Sequence, residues 1–225
     1  MEFPTSKFSF TVKSTTAKPP KTTEPELLIA GNNKGKFKLN EAGSTLLNVK
    51  PGDYLAFVNN EVQINQVLEA YKQDDPEAVA WVQEQGGIDE VKVQWAIAKG
   101  WELLDAAGNV QTVKKPLTKV EEEALREKGE VGEDGKVVAP DIPAHKGSRL
   151  NAKSSDVKVG MILDGTDSTN CPVMRKGVPE DMHLVFSIAK EGIPVQFPNG
   201  NSTADVTVFP ITVDRQEAKI EKNKG

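Results

Sequence analysis

The chain is poor in the residues that most metal and catalytic motifs require. Among 225 residues there is one cysteine, Cys171, and two histidines, His145 and His183. A single thiol forms no internal disulfide, and without paired Cys or His spacings there is no zinc-finger or zinc-hydrolase motif. No run of about 18 apolar residues exists, which excludes a transmembrane helix, and Met1 to Phe10 lacks the charged-then-apolar layout of a secretory signal. Arginine is missing from the first half of the chain, and aromatic residues make up only 6%. What is present is a globular composition, 37% apolar and 27% charged with 18 Gly and 14 Pro, sufficient for one large domain or two small ones. The expectation is a soluble protein of the cytoplasm, or of a virion if phage-encoded.

The net charge of -5 conceals an uneven distribution. Residues 1–50 hold 8 Lys against 4 Glu, whereas residues 51–100 hold 9 acids against 3 Lys. Nucleic acid attracts clustered cations and is repelled by acidic surface, so a polyanion contact is expected only on the first quarter of the chain.

Along the chain, Phe8, Phe10 and Val12 alternate with polar residues, as in a short strand, before a Thr, Lys and Pro run that reads as an arm or linker. Leu27–Ala30 and Lys36–Leu39 read as strands around a glycine turn. Asn40 is placed to cap a short helix carrying Ala42, Leu46 and Leu47, and Tyr54–Val58 is a strand after the Pro51-Gly52 turn. Helical spacing recurs in 61–71 and 76–84, with Pro76 at a first helical position. Val91, Val93, Trp95 and Ile97 alternate as a strand, and 101–104 with 110–113 suggest a hairpin. Thr118 and Glu121 form a capping box ahead of a short exposed helix ending at Gly129. Short apolar runs at 157–163, 184–188, 195–197 and 206–213 make the last third β-rich, followed by a polar end from Arg215 read as a frayed helix or tail. The resulting division is an arm over 1–26, a unit over 27–146, a β-rich region over 147–214 and a tail over 215–225.

Lys34 to Val58, KGKFKLNEAGSTLLNVKPGDYLAFV, runs strand, cap, short helix with a leucine pair, Lys-Pro-Gly-Asp turn, aromatic strand. It resembles the AbrB-like swapped-hairpin family of transition-state regulators and MazE-type antitoxins over roughly a ninth of the chain. The resemblance implies a small β-α-β hairpin unit; with the short helices and the larger, mostly antiparallel β region read after it, the expected fold class is α+β and β-rich. It also implies that a second copy interleaves with the unit to close a barrel, giving a homodimer. Basic strand and loop residues of the family meet the DNA backbone, which assigns Lys34, Lys36 and Lys38 to phosphate contact, with Lys13, Lys18 and Lys21 on the arm. Many DNA-binding members carry arginine at contact positions; lysine lacks the bidentate fork that reads guanine, so general binding is favoured over sequence-specific recognition. A fainter echo of the same order starts at Gly147-Ser148-Arg149-Leu150-Asn151 and runs to Asp164-Gly165-Thr166-Asp167, but few positions match and coincidence accounts for them more simply.

Other clusters have plain structural readings. Asp164, Asp167 and Asn170 lie in a Gly- and Thr-rich loop that lacks calcium-loop spacing and reads as a turn. Cys171 acts as a nucleophile only if a base such as His183 lies near; a buried thiol is the simpler role. His145 reads as a loop residue, and His183 as a cap on a strand. Gly31–Lys36 lacks the spacing of a phosphate-binding loop. Trp81, Trp95 and Trp101 sit in acidic surroundings and read as core or partner contacts. The leading expectation is a non-enzymatic, dimeric nucleic-acid-binding protein, DNA before RNA, with no cofactor, metal or membrane partner. The alternative is a structural component of a larger assembly such as a phage virion. An enzyme with a site around Asp164 and Cys171 comes third.

Overall fold

The structure, a computed structural model, describes residues 24–31, 34–152 and 162–218. Strand β1 (Glu26–Ile29) and strand β2 (Lys36–Leu39) flank the turn that ends at Gly35, and helix α1 (Glu41–Leu46) begins where the Asn40 side chain accepts from the Gly43 N–H at 2.8 Å. Strand β3 (Tyr54–Asn59) leads into helices α2 (Glu61–Tyr71) and α3 (Pro76–Glu84), the second capped by Asp75. Strand β4 (Trp95–Lys99) starts later than the valine alternation predicts, because Ile88–Glu90 forms a 3-10 turn and Val93 stays exposed. Next come β5 (Thr112–Lys114), α4 (Lys119–Glu127) with the predicted capping box, and β6 (Asp141–Pro143). The predicted hairpin of 101–104 with 110–113 shrinks to one bridge between Leu104 and Val110, since β5 pairs with β6 instead.

The last third adds β7 (Ser148–Arg149), β8 (Asn151–Ala152), β9 (Leu163–Thr166), α5 (Asn170–Met174), β10 (Met182–Ile188), β11 (Ile193–Asn199) and the long β12 (Ser202–Ala218). Residues 215–218, expected in a frayed tail, are strand: Arg215 stands opposite Val185 and its guanidinium donates to Glu26 at 2.8 Å. The apolar run predicted from Val157 is described only from residue 162, and the arm with Lys13, Lys18 and Lys21 lies outside the described residues.

These strands close into a ring. β1 pairs with β2, β2 with β9 and β9 with β8; β7 pairs with β3, β3 with β4, β4 with β12, β12 with β10, and β10 returns to β1. Only Leu150 separates β7 from β8, and its backbone continues the ladder, donating to the Asp53 carbonyl and accepting from the Gly52 N–H, both at 2.8 Å. The β7–β8 segment therefore acts as one strand joining both sides of an antiparallel barrel, which removes the sheet edges there.

The ring reads the same from either half of the chain. β1, β2, α1, β3 and β4 form one unit; β7–β8, β9, α5, β10 and β12 form a second with the same order of elements. The first strand of each unit pairs with the third strand of the other, β1 with β10 and β7 with β3, while β2 meets β9 and β4 meets β12. Asn40 caps α1 through the N–H three residues on, at 2.8 Å; ahead of α5, whose N-cap position is Thr169, the Asp167 side chain accepts from the Asn170 N–H at 2.8 Å. Residues 27–146 and 147–214, separate in the sequence reading, thus supply interleaved strands to one barrel, and the echo at Gly147 corresponds to the start of the second unit.

Leu27, Ile29, Phe37, Leu39, Leu55, Ile97, Leu150 and Leu163 are fully buried inside the ring, with Phe37 edge-on to Phe57 at 5.2 Å. Alternation sets the register: Phe37 and Leu39 face inward, so Lys36 and Lys38 face out. At about 1.5–3 kcal/mol for each large apolar side chain removed from water, this cluster is the main stabilising feature. The apolar face of the β2–α1–β3 unit is covered within the chain, where β9 pairs with β2, β7 with β3, and Leu184, Phe186 and Ile188 of β10 share the same buried core.

Candidate functional site

Lys34, Lys36 and Lys38 are the predicted contact residues within the described structure; β2 sets Lys36 and Lys38 on its outer face, and Lys34 stands in the turn before it. Lys34 and Lys36 are exposed; Lys38 is half-buried. Their neighbours on β9 are not basic: Lys36 stands opposite Thr166 and Lys38 opposite Asp164. The second unit of this chain supplies a hydroxyl and a carboxylate there, which reduces the positive potential next to Lys38.

The Asp164–Cys171 loop is occupied with its own folding. Asp167 accepts from the backbone N–H groups of Thr169 at 3.1 Å and Asn170 at 2.8 Å, and from the Asn170 side chain at 3.0 Å. Cys171 is fully buried, and that burial, with a smaller contribution from the charge of Asp167, pushes its thiol up to about 12. A thiol held in that state is not an activated nucleophile. The Nδ1 of His183 accepts from the Gly31 N–H at 2.8 Å and fixes the β1–β2 turn. His145 stacks on Tyr54 with ring centroids 4.5 Å apart and planes at 1°. Among the described residues no group of three or more His, Cys, Asp and Glu side chains is set to hold a metal ion.

The feature that sequence reasoning missed is an excursion between β4 and β7. Its neck is a short antiparallel pairing: the Leu103 N–H donates to the Ala144 carbonyl at 2.9 Å and the Lys146 N–H to the Trp101 carbonyl at 2.8 Å. Beyond the neck lie the β5–β6 ribbon and α4, and no residue from 101 to 143 is buried. Val110, Val113, Val120 and Val138 are 43%, 47%, 74% and 47% exposed. The β11–β12 hairpin leans on its base, where Phe197 stacks on Trp101 at 5.0 Å and Asn199 exchanges hydrogen bonds with Leu104 and Glu102. The only sequence signal was the set of valines scattered among turn residues, which equally suits short core strands.

No helix among the described residues is long and apolar enough to cross a membrane. No family model, curated protein or solved structure matches the chain.

Proposed function

We propose that this chain is a non-enzymatic structural component of a larger protein assembly, a virion being one such assembly, and that it docks through the excursion between β4 and β7. The observation that carries this reading is the run of residues 101–143 with none buried, which nonetheless displays four exposed valines on ordered ribbon, helix and turn. Exposed apolar side chains grouped on a projecting element are typical of contact surfaces, whereas single ones scattered over a surface are not informative. Kinship with the AbrB-like swapped-hairpin family belongs to the same proposal. Two β-β-α-β units interleave in this ring as two chains do in that family, and fusing them frees the protein from pairing with itself to fold. The reading is tested by gradient sedimentation of native material probed for this chain. It is expected to travel with particles far heavier than 24.4 kDa; sedimentation at its own mass alone would overturn the reading.

Nucleic-acid binding is the second reading, favoured by the exposure of Lys34 and Lys36. It requires a mobility shift of DNA or RNA that weakens steeply with added salt, and a shallower salt dependence once Lys34, Lys36 and Lys38 are replaced by alanine.

A further inference from the structure

The helical hairpin α2–α3 is the most acidic part of the chain. Residues 61–90 carry eight Asp and Glu against the single Lys72. Glu61, Asp74, Glu77 and Glu84 have no ion pair among the described residues. One face of α2, continued by Gln73 after it, is open to solvent and carries Val62, Asn65, Gln66, Glu69 and Ala70. Val62, in the first turn of the helix, is 65% exposed, so this face offers an apolar contact inside a negative field.

Residues 1–23 have the complementary chemistry. They carry Lys7, Lys13, Lys18 and Lys21 against Glu2 alone, with Phe8, Phe10 and Val12 at alternate positions. Fully extended they reach about 75 Å. The barrel fixes where the hairpin stands and where residues 1–23 attach. β1 and β3 run in the same direction, being four antiparallel steps apart around the ring. The chain enters β1 at one end of the barrel, and β3 delivers it to α2 at the other.

We infer that residues 1–23 of one copy dock on the α2–α3 hairpin of a second copy, joining molecules head to tail. The inference rests on the assembly reading above and names one of its contacts. Basic side chains meet the acidic hairpin while the alternating Phe and Val residues cover Val62. Because the two patches differ and the arm joins the barrel at the end opposite α2, the contact is heterologous and propagates into rings or filaments.

Sedimentation equilibrium of the full chain tests this at low and high salt up to about 100 µM, where even weak contacts are populated. Two charge-reversed forms are compared: Lys7→Glu with Lys13→Glu, Lys18→Glu and Lys21→Glu in the arm, and Glu61→Lys with Glu69→Lys and Glu84→Lys in the hairpin. Far-UV circular dichroism checks that both fold, and Val62→Asp serves as an independent hairpin variant. The expected result is salt-sensitive self-association of the natural chain, loss of it in each variant alone, and recovery in an equimolar mixture of the two reversed forms. A natural chain that stays monomeric, variants that associate normally, or a mixture without recovery, as docking within one molecule would give, each overturns the inference. A monomer that still sediments with particles in native material would remove this contact and leave the assembly role standing.

Discussion

Asn40 serves three backbone groups at once. Its Oδ1 accepts from the Glu26 N–H at 3.0 Å and the Gly43 N–H at 2.8 Å, and its Nδ2 donates to the Glu24 carbonyl at 2.8 Å. It is therefore both the N-cap of α1 and a clasp on the start of β1. Asn40→Ala is expected to cost about 2 kcal/mol, more than a surface cap, and Asn40→Asp less, because the carboxylate keeps both acceptor bonds. Chemical denaturation of the two variants measures the difference. Cys171 yields a pH prediction. Its folded thiol holds its proton to about 12 against an ordinary value of 9.0. Folding thus favours the protonated form, and the stability it contributes is complete below pH 9 and lost as pH rises from 9 toward 12. Denaturation midpoints should fall across that window, and Cys171→Ala should flatten the fall. An unchanged alkaline slope in the variant would show that the thiol contributes nothing.

At the scale of elements, β11 is an edge strand with its own protection. Asn199 and Ser202 flank a two-residue loop and so form the hydrogen-bonded pair that closes the hairpin. Counting back by twos, Val195 and Phe197 also point their amide groups toward β12, while Pro194, Gln196 and Pro198 point theirs away. Proline has no N–H, so the outer edge offers one donor in three positions and is a poor template for another strand. Replacing Pro194 and Pro198 together by threonine should leave the hairpin paired and make the purified protein associate by edge pairing. Light scattering against concentration reads the effect, and a pair of threonines with no rise in mass would refute this account of the prolines. Most elements of this size were legible in the sequence. Caps at Asn40 and Thr118, Pro76 at a helix start and the alternation of Lys36–Leu39 are local features, written in neighbouring residues. The late start of β4 and the strand at 215–218 were not legible, because each depends on a partner distant in the chain.

For the whole molecule, the ring is completed within one chain through Leu150, which is fully buried. Tryptophan fluorescence should therefore show a folded barrel on dilution to about 10 nM, where an obligate swapped dimer would come apart and unfold. Unfolding on dilution would disprove single-chain closure. Leu150→Ala tests the same closure from inside and is expected to cost about 2–5 kcal/mol, measured by chemical denaturation, since the side chain lies at the seam between the two sides of the barrel. Gly147, at φ 105°, belongs to that seam as well: a Cβ there would overlap the carbonyl of Leu55, so the neck of the excursion meets β3 only with glycine in place.

By itself, the sequence determined the β-rich character, the caps at Asn40 and Thr118, the inward face of Lys36–Leu39 and the cationic front of the chain. All of these follow from side-chain chemistry acting over a few residues. Only the tertiary structure decided that the unit at Lys34–Val58 finds its complement at 148–188 of the same chain, that Asp164 stands beside Lys38, and that residues 101–143 project without burial. Pairing between strands more than a hundred residues apart is set by which apolar faces fit once the ring closes. A linear pattern of alternation identifies a face to be covered but carries no information about what covers it.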